Sequence, residues 1–206
     1  MNKGGGTTTS SFSGRIHNNS IGTTGQANSG TTGNKNAINA VMYGCGSYTA
    51  AITDNIIKEV SGNGIFAIAR DGDGASGTNP GDLNLTITGN QLSLPDPGNN
   101  AIRIEAGATS TDDFDVCADI GGSSAALKNT VSGDWGAAIA ADEIRLRHQF
   151  SALNTFRLPG FVGVSPADVP AYLTGRNTGF PPGTASATVA GGGAYTGGAA
   201  CAQPAP

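Results

Sequence analysis

A six-residue pattern, Ile-x-x-Asn-x followed by Ile or Leu, recurs along this chain and constrains its fold more than any other feature. It reads Ile16-His-Asn-Asn19-Ser-Ile21, then Ile52-Thr-Asp-Asn55-Ile-Ile57, then Ile87-Thr-Gly-Asn90-Gln-Leu92. The asparagines lie 36 and then 35 residues apart. Ile120-Gly-Gly-Ser123 reads as a degraded fourth copy. After each copy a Gly/Asn turn leads into another short apolar run, at 37–41, 64–69, 101–106 and 136–141. A fixed period of this order is the mark of a stacked repeat.

Inside the repeats apolar and polar residues alternate. Leu83, Leu85 and Ile87 oppose Asn84 and Thr86, and Ile102 and Ile104 oppose Arg103 and Glu105. Phe114, Val116, Ala118 and Ile120 oppose Asp115, Cys117 and Asp119, while Ile144, Leu146 and Phe150 oppose Arg145, Arg147 and Gln149. Period two means strands with one buried and one wetted face. Several short strands per repeat and no helix predict one coil of a parallel β-solenoid. The expected fold is therefore an all-β parallel β-helix of about four coils, with strands about 4.8 Å apart along its axis. An asparagine returning to one corner predicts a ladder of Asn19, Asn55 and Asn90, each amide bonding the next. Gly and Asn suit the positive-φ corners between faces. An antiparallel sandwich also has short alternating strands, but its hairpins do not require this hexapeptide at a fixed spacing. One helix is expected, over 165–174, with Ser165 as cap, Pro166 in the first turn and Val169, Tyr172 and Leu173 on one stripe. Pro170 keeps it short.

Composition narrows the function. Charged residues make up 13% of the 206, about half the usual share. The formal net charge is −4, which argues against a phosphate-neutralising nucleic-acid binder. No apolar run approaches the length of a membrane-spanning helix. Gly (33) and Pro (10) are abundant, yet Gly shows no collagen period, and the ends are richer in them than the middle. The expected organisation is a flexible segment over 1–13, coils over 14–158, and a C-terminal cap with a Gly/Pro-rich tail over 159–206. The opening residues carry no apolar h-region, so the sequence is expected to be a fragment of a longer chain or a mature form.

The ordered set ITDNII, LTITGNQL, GNGIFAIA, AIRIEAG, DVCADIGG, EIRLRHQF followed by FRLPGFVG, and the terminal GGAAC carries a family likeness. It resembles the C-terminal right-handed parallel β-helix region of large secreted bacterial surface proteins, the adhesin-like β-strand-repeat family. The resemblance implies an extracellular, non-enzymatic segment that builds length and displays surface. Its implied partners are other copies of itself or the parent surface protein. Cys45 and the Gly/Thr-rich stretch 22–36 are less typical of that pattern.

An extracellular setting favours a disulfide. Cys117 is outward by the alternation, and Cys201 lies in the tail, so a Cys117–Cys201 bridge would pin the tail to the solenoid. The alternative is free thiols, and Cys45 would be free or paired between chains. Asp71, Asp73 and Asp82 share the loop DGDGASGTNPGD and are the candidate metal ligands, for Ca²⁺, which takes six to eight oxygens. The plain alternative is a solvated turn. Asp112, Asp113 and Asp115 form a second acidic cluster. No other cofactor is indicated.

Parallel β-helices also host polysaccharide lyases and hydrolases, which need an acid pair with a basic partner on one exposed face. The candidates by sequence are Asp71 with Arg70, and Arg103 with Glu105, the latter reading as an ordinary surface ion pair. His17 and His148 are far apart, and Lys3 follows no P-loop signature. The expectation is a structural, adhesin-like segment without catalysis. The rivals are a carbohydrate- or receptor-binding module of tail-fibre type, and a β-helix lyase or hydrolase.

Overall fold

The computed structural model of the chain describes residues 2–3, 11–70, 81–95, 99–109, 112–135, 143–149, 153–180 and 187–205. They wind into a parallel β-solenoid of about four turns with one short helix toward the C-terminal end. The first turn holds β1 (Asn2–Lys3), β2 (Ser11–His17) and β3 (Ser20–Ile21). The second holds β4 (Ile38–Tyr43), β5 (Gly46–Thr53) and β6 (Ile56–Lys58). The third holds β7 (Ile65–Arg70), β8 (Gly81–Thr88) and β9 (Gln91–Ser93), and the fourth β10 (Ile102–Ala106), β11 (Phe114–Ile120) and β12 (Thr130–Val131). Two rungs follow for which the described residues show no third strand: β13 (Ile144–His148) and β14 (Thr155–Pro159) with helix α1 (Val169–Arg176), then β15 (Ala187–Ala190) and β16 (Ala194–Gly198).

Three sheets result. Sheet A stacks β1, β4, β7, β10, β13 and β15; sheet B stacks β2, β5, β8, β11, β14 and β16; sheet C stacks β3, β6, β9 and β12. Every named pairing among the described strands is parallel. Six rungs at the strand spacing make a rod about 24 Å long.

The register turns the alternation into columns. Ile16, Ile52, Ile87 and Ile120 stack in sheet B, and Ile38, Ile65, Ile102 and Ile144 stack in sheet A. A second inner column of sheet B runs Phe12, Tyr48, Leu83, Val116, Phe156, Tyr195. From Tyr48 onward it is buried, and each such side chain contributes on the order of 2 kcal/mol. Phe12, in the first turn, is 39% exposed and meets Tyr48 edge-on at 5.2 Å. Corners before the ladder take the left-handed backbone: φ is 56° at Asn18, 56° at Asp54 and 70° at Gly89.

Several sequence readings are corrected. The solenoid begins within the segment expected to be flexible, because Ser11–Ser13 already pair with β5. It also passes the 158/159 boundary, which falls inside β14, and continues through β15 and β16. Ile120 occupies its expected column, but Ser123 is exposed in a turn, and the repeat resumes only at Asn129. Residues 121–128 loop out at that corner, so the fourth copy is interrupted rather than degraded. The run 136–141 and Phe150 lie outside the described residues, and the sheet A place of that rung belongs to β13.

The helix forms where expected but extends to Arg176, behind a 3-10 turn at Pro166–Asp168. Pro170 falls in its first turn, where a missing N–H costs nothing. Asp168, more than Ser165, organises the start: its Oδ2 accepts from Val164 N at 3.0 Å, Ser165 N at 3.0 Å and Ser165 Oγ at 3.1 Å. These bonds hold its carboxyl below the usual range. Val169 and Leu173 face the core, and the Tyr172 hydroxyl donates to Pro159 O at 2.5 Å.

Candidate functional site

The expected asparagine ladder exists and is longer than expected. Asn19 Nδ2 donates to Asn55 Oδ1 at 3.0 Å, Asn55 Nδ2 to Asn90 Oδ1 at 3.0 Å, Asn90 Nδ2 to Asn129 Oδ1 at 2.9 Å, and Asn129 Nδ2 to Asn177 Oδ1 at 2.8 Å. The same oxygens of Asn55, Asn90 and Asn129 accept backbone N–H groups of Asn19, Asn55 and Asn90. Intervals of 39 and 48 residues hid Asn129 and Asn177 from a search at constant period. A second column was missed: Asn63 Nδ2 donates to Asn36 Oδ1 at 2.8 Å, and Asn100 N donates to Asn63 Oδ1 at 3.0 Å. Its signal is Asn36-Ala-Ile, Asn63-Gly-Ile and Asn100-Ala-Ile, each opening a sheet A strand.

Sheet B carries a strap on its outer face. Cys117 and Cys201 are bonded, with Cα atoms 5.5 Å apart. The tail around this bond runs back along the rod. Arg157 Nη1 donates to Ala199 O at 2.6 Å, Ala202 N to Asn84 Oδ1 at 3.3 Å, Gln203 bonds Thr86, and Arg15 Nη2 donates to Pro204 O at 2.7 Å. The strap therefore touches β14, β11, β8 and β2 in turn. Cys45 is buried and lies outside the bridge.

Beside the strap, sheet B holds an acid pair that sequence reasoning missed. Asp82 and Asp115 are neighbours across the β8–β11 register, and with Arg157 and Thr155 they line a polar recess of about 210 Å³. Burial first, then Asp115, pushes the Asp82 carboxyl up, and Arg157 pulls it back. Thr155 Oγ1 donates to Asp115. Asp82 is thus a strand residue on an open face. Asp71 and Asp73, its expected partners, lie outside the described residues. The second acidic cluster is split: Asp112 is buried and accepts from Thr109 N at 2.9 Å and Thr109 Oγ1 at 2.7 Å within its own turn, while Asp115 faces out. Among the described residues no three His, Cys, Asp or Glu side chains gather as metal ligands.

Sheet A's outer face carries the expected Arg103–Glu105 pair, though not as a surface pair. Arg103 Nε donates to Glu105 Oε1 at 2.8 Å and Arg103 Nη2 donates to the same oxygen, the Glu105 side chain is only 4% exposed, and Arg147 Nη1 adds a third contact at 3.6 Å. The histidines are separate, as expected: His17 is exposed beside Thr53 and Asp54, and His148 is buried between Phe156 and Tyr195. Trp135 is fully buried, with its indole N–H on Ser132 O at 3.0 Å.

Among the described residues no strand stacks beyond the first turn. Its sheet A strand covers only Val41 and Met42 of β4, leaving the Ile38 end of that strand without a described neighbour on this side. A recess of about 810 Å³ opens there, lined by Ile16, Ile21, Ala37 and Ile38 with Arg15 and Asn39 at its rim. Comparison of the chain with family models, curated proteins and solved structures gives no match. No helix among the described residues is long and apolar enough to cross a membrane.

Proposed function

We propose that this chain is a structural, non-enzymatic segment of an extracellular bacterial surface protein or filament, which extends by stacking turn upon turn. The observation that carries this reading is the first turn, where each of the three sheets ends in an edge strand among the described residues. Phe12 ends an otherwise buried core column in the open, and the edges of β2 and β3 face away from the next rung. An exposed strand edge over an apolar recess is a template for another turn of solenoid. Such head-to-tail stacking is a heterologous contact, which propagates into a filament. The Cys117–Cys201 bond supports an oxidising compartment. Against catalysis stands the strap, whose bonds to Arg157, Asn84 and Thr86 occupy the outer face of sheet B beside its acid pair.

The experiment is electron microscopy with sedimentation analysis of the purified, oxidised chain. Filaments or concentration-dependent oligomers are expected. A monomer at all concentrations removes self-assembly, and turnover of a polysaccharide abolished by Asp82→Asn removes the non-enzymatic reading. The alternative, a carbohydrate-binding module, is favoured by one specific feature, the arginines of sheet A.

A further inference from the structure

Four of the chain's seven arginines stand on the outer face of sheet A: Arg70, Arg103, Arg145 and Arg147. The register places Arg103 directly across from Arg145, and Glu105 directly across from Arg147. Arg145 and Arg147 are two apart on β13 and so project from the same face. The three arginines thus leave the backbone at the corners of a triangle with edges of about 5, 7 and 8 Å, set by the strand spacing and the two-residue repeat. Glu105 is the only carboxylate within ion-pairing distance of any of them among the described residues.

This is more positive charge than the fold needs. Like charges directly opposite in a ladder destabilise a sheet. A chain of net charge −4 had carboxylates to spare, yet among the described residues one serves this cluster. The guanidiniums are not sealed off either, since the Arg103 side chain is 19% and that of Arg147 34% exposed.

From this geometry we infer that the outer face of sheet A binds an acidic polysaccharide, its carboxylate or sulfate groups seated on Arg103, Arg145 and Arg147. A planar fork of N–H donors matches such an oxyanion bidentately. A triangle of forks on an open, rigid sheet suits anions repeated along a polymer better than one small anion, which would call for a closed pocket. Nucleic acid fits less well. Glu105 sits inside the cluster, and the two aromatic side chains on this face lie under arginines rather than open for bases: Arg70 stands 4.6 Å from the Tyr43 ring centre and Arg103 5.9 Å from that of Phe66. This inference deepens the glycan-binding alternative and is independent of filament formation.

The test is binding of the intact, oxidised chain to immobilised polygalacturonate, dextran sulfate, neutral dextran and duplex DNA at low and high salt. Polygalacturonate or dextran sulfate should bind, weaken as salt rises, and lose at least tenfold in affinity in the double variant Arg145→Gln/Arg147→Gln. Lys128→Gln, on another face, should bind as the parent does. Preference between the first two polymers identifies carboxylate or sulfate as the recognised group. Should the double variant misfold, phenylglyoxal footprinting of the unaltered chain replaces it, with Arg145 and Arg147 protected by the bound polymer and Arg15 not. Equal binding to neutral dextran overturns the acidic specificity while keeping a glycan module. No binding to any glycan, tighter binding to DNA, or undiminished glycan binding by the double variant overturns the proposal.

Discussion

Arg15, in the first turn, donates a hydrogen bond to the backbone carbonyl of Pro204, 189 residues later in the chain. The rod is thereby fastened from its last rung to its first by its own tail. A stack of repeats normally holds together through neighbour contacts alone, so that its terminal turns fray first. The strap adds contacts that skip rungs, and Cys117–Cys201 anchors it near the middle of sheet B.

The bridge closes a loop with a sequence separation of 84, for which loop entropy amounts to about 4.5 kcal/mol. Cys117→Ser, or reduction, is expected to lower the urea midpoint by a corresponding amount and to speed amide exchange in β2 and β5. An unchanged midpoint on adding reductant would show that the hydrogen bonds of the strap, not its disulfide, hold it.

Position along the ladder sets the cost of losing an asparagine. Asn90 is buried, accepts from Asn55 N and Nδ2, and donates to Asn129 Oδ1 and Ile52 O. Asn90→Ala strands several of these groups and should cost roughly 3 kcal/mol. Asn19 is exposed at the end of the ladder, and Asn19→Ala should cost under about 1 kcal/mol. Equal losses in denaturant melts would mean the ladder is not what discriminates them.

His148 makes stability depend on pH. Burial lowers its pKa from 6.5 to about 4, with backbone groups of Ala194 and Asn154 acting the other way. Between those values the unfolded chain binds a proton that the folded chain refuses. The stabilisation is therefore full above about pH 6.5 and falls as pH drops toward 4, by about 2 kcal/mol at pH 5. His148→Leu should flatten the stability profile between pH 7 and 5 relative to the parent. Parallel profiles for the two proteins would remove His148 as the cause.

Phe12→Asp tests the open end. Since Phe12 is already partly in water, the variant should stay folded, at a cost of about 1 to 2 kcal/mol. Placing a charge at the head of the apolar column should weaken self-association at least tenfold by sedimentation. Undiminished assembly would move the contact to the C-terminal rungs.

The Gly-rich tail illustrates where sequence reading stops. GGGAYTGG reads as a loose end, yet Gly193 lies where a Cβ would come within 2.0 Å of the His148 ring, and Gly191, at φ +88°, within 1.9 Å of its carbonyl. These glycines let backbone close over a buried histidine, and Tyr195 then stacks on Phe156 at 5.4 Å. Only the folded neighbour supplies that reason.

By itself the sequence determined the solenoid, the faces of its strands, the first three members of the asparagine ladder and the outward aspect of Cys117. All of these follow from local rules: period two, a corner residue returning at fixed spacing, and turn residues that accept positive φ. What only the tertiary structure decided depends on which rung lies beside which. Asn129 and Asn177 join the ladder despite unequal loops, because stacking requires the corner to align and not the spacing to be constant. Asp82 meets Asp115, and Arg103 meets Arg145, because register sets residues from separate coils about one strand spacing apart. No rule local to either segment contains that distance.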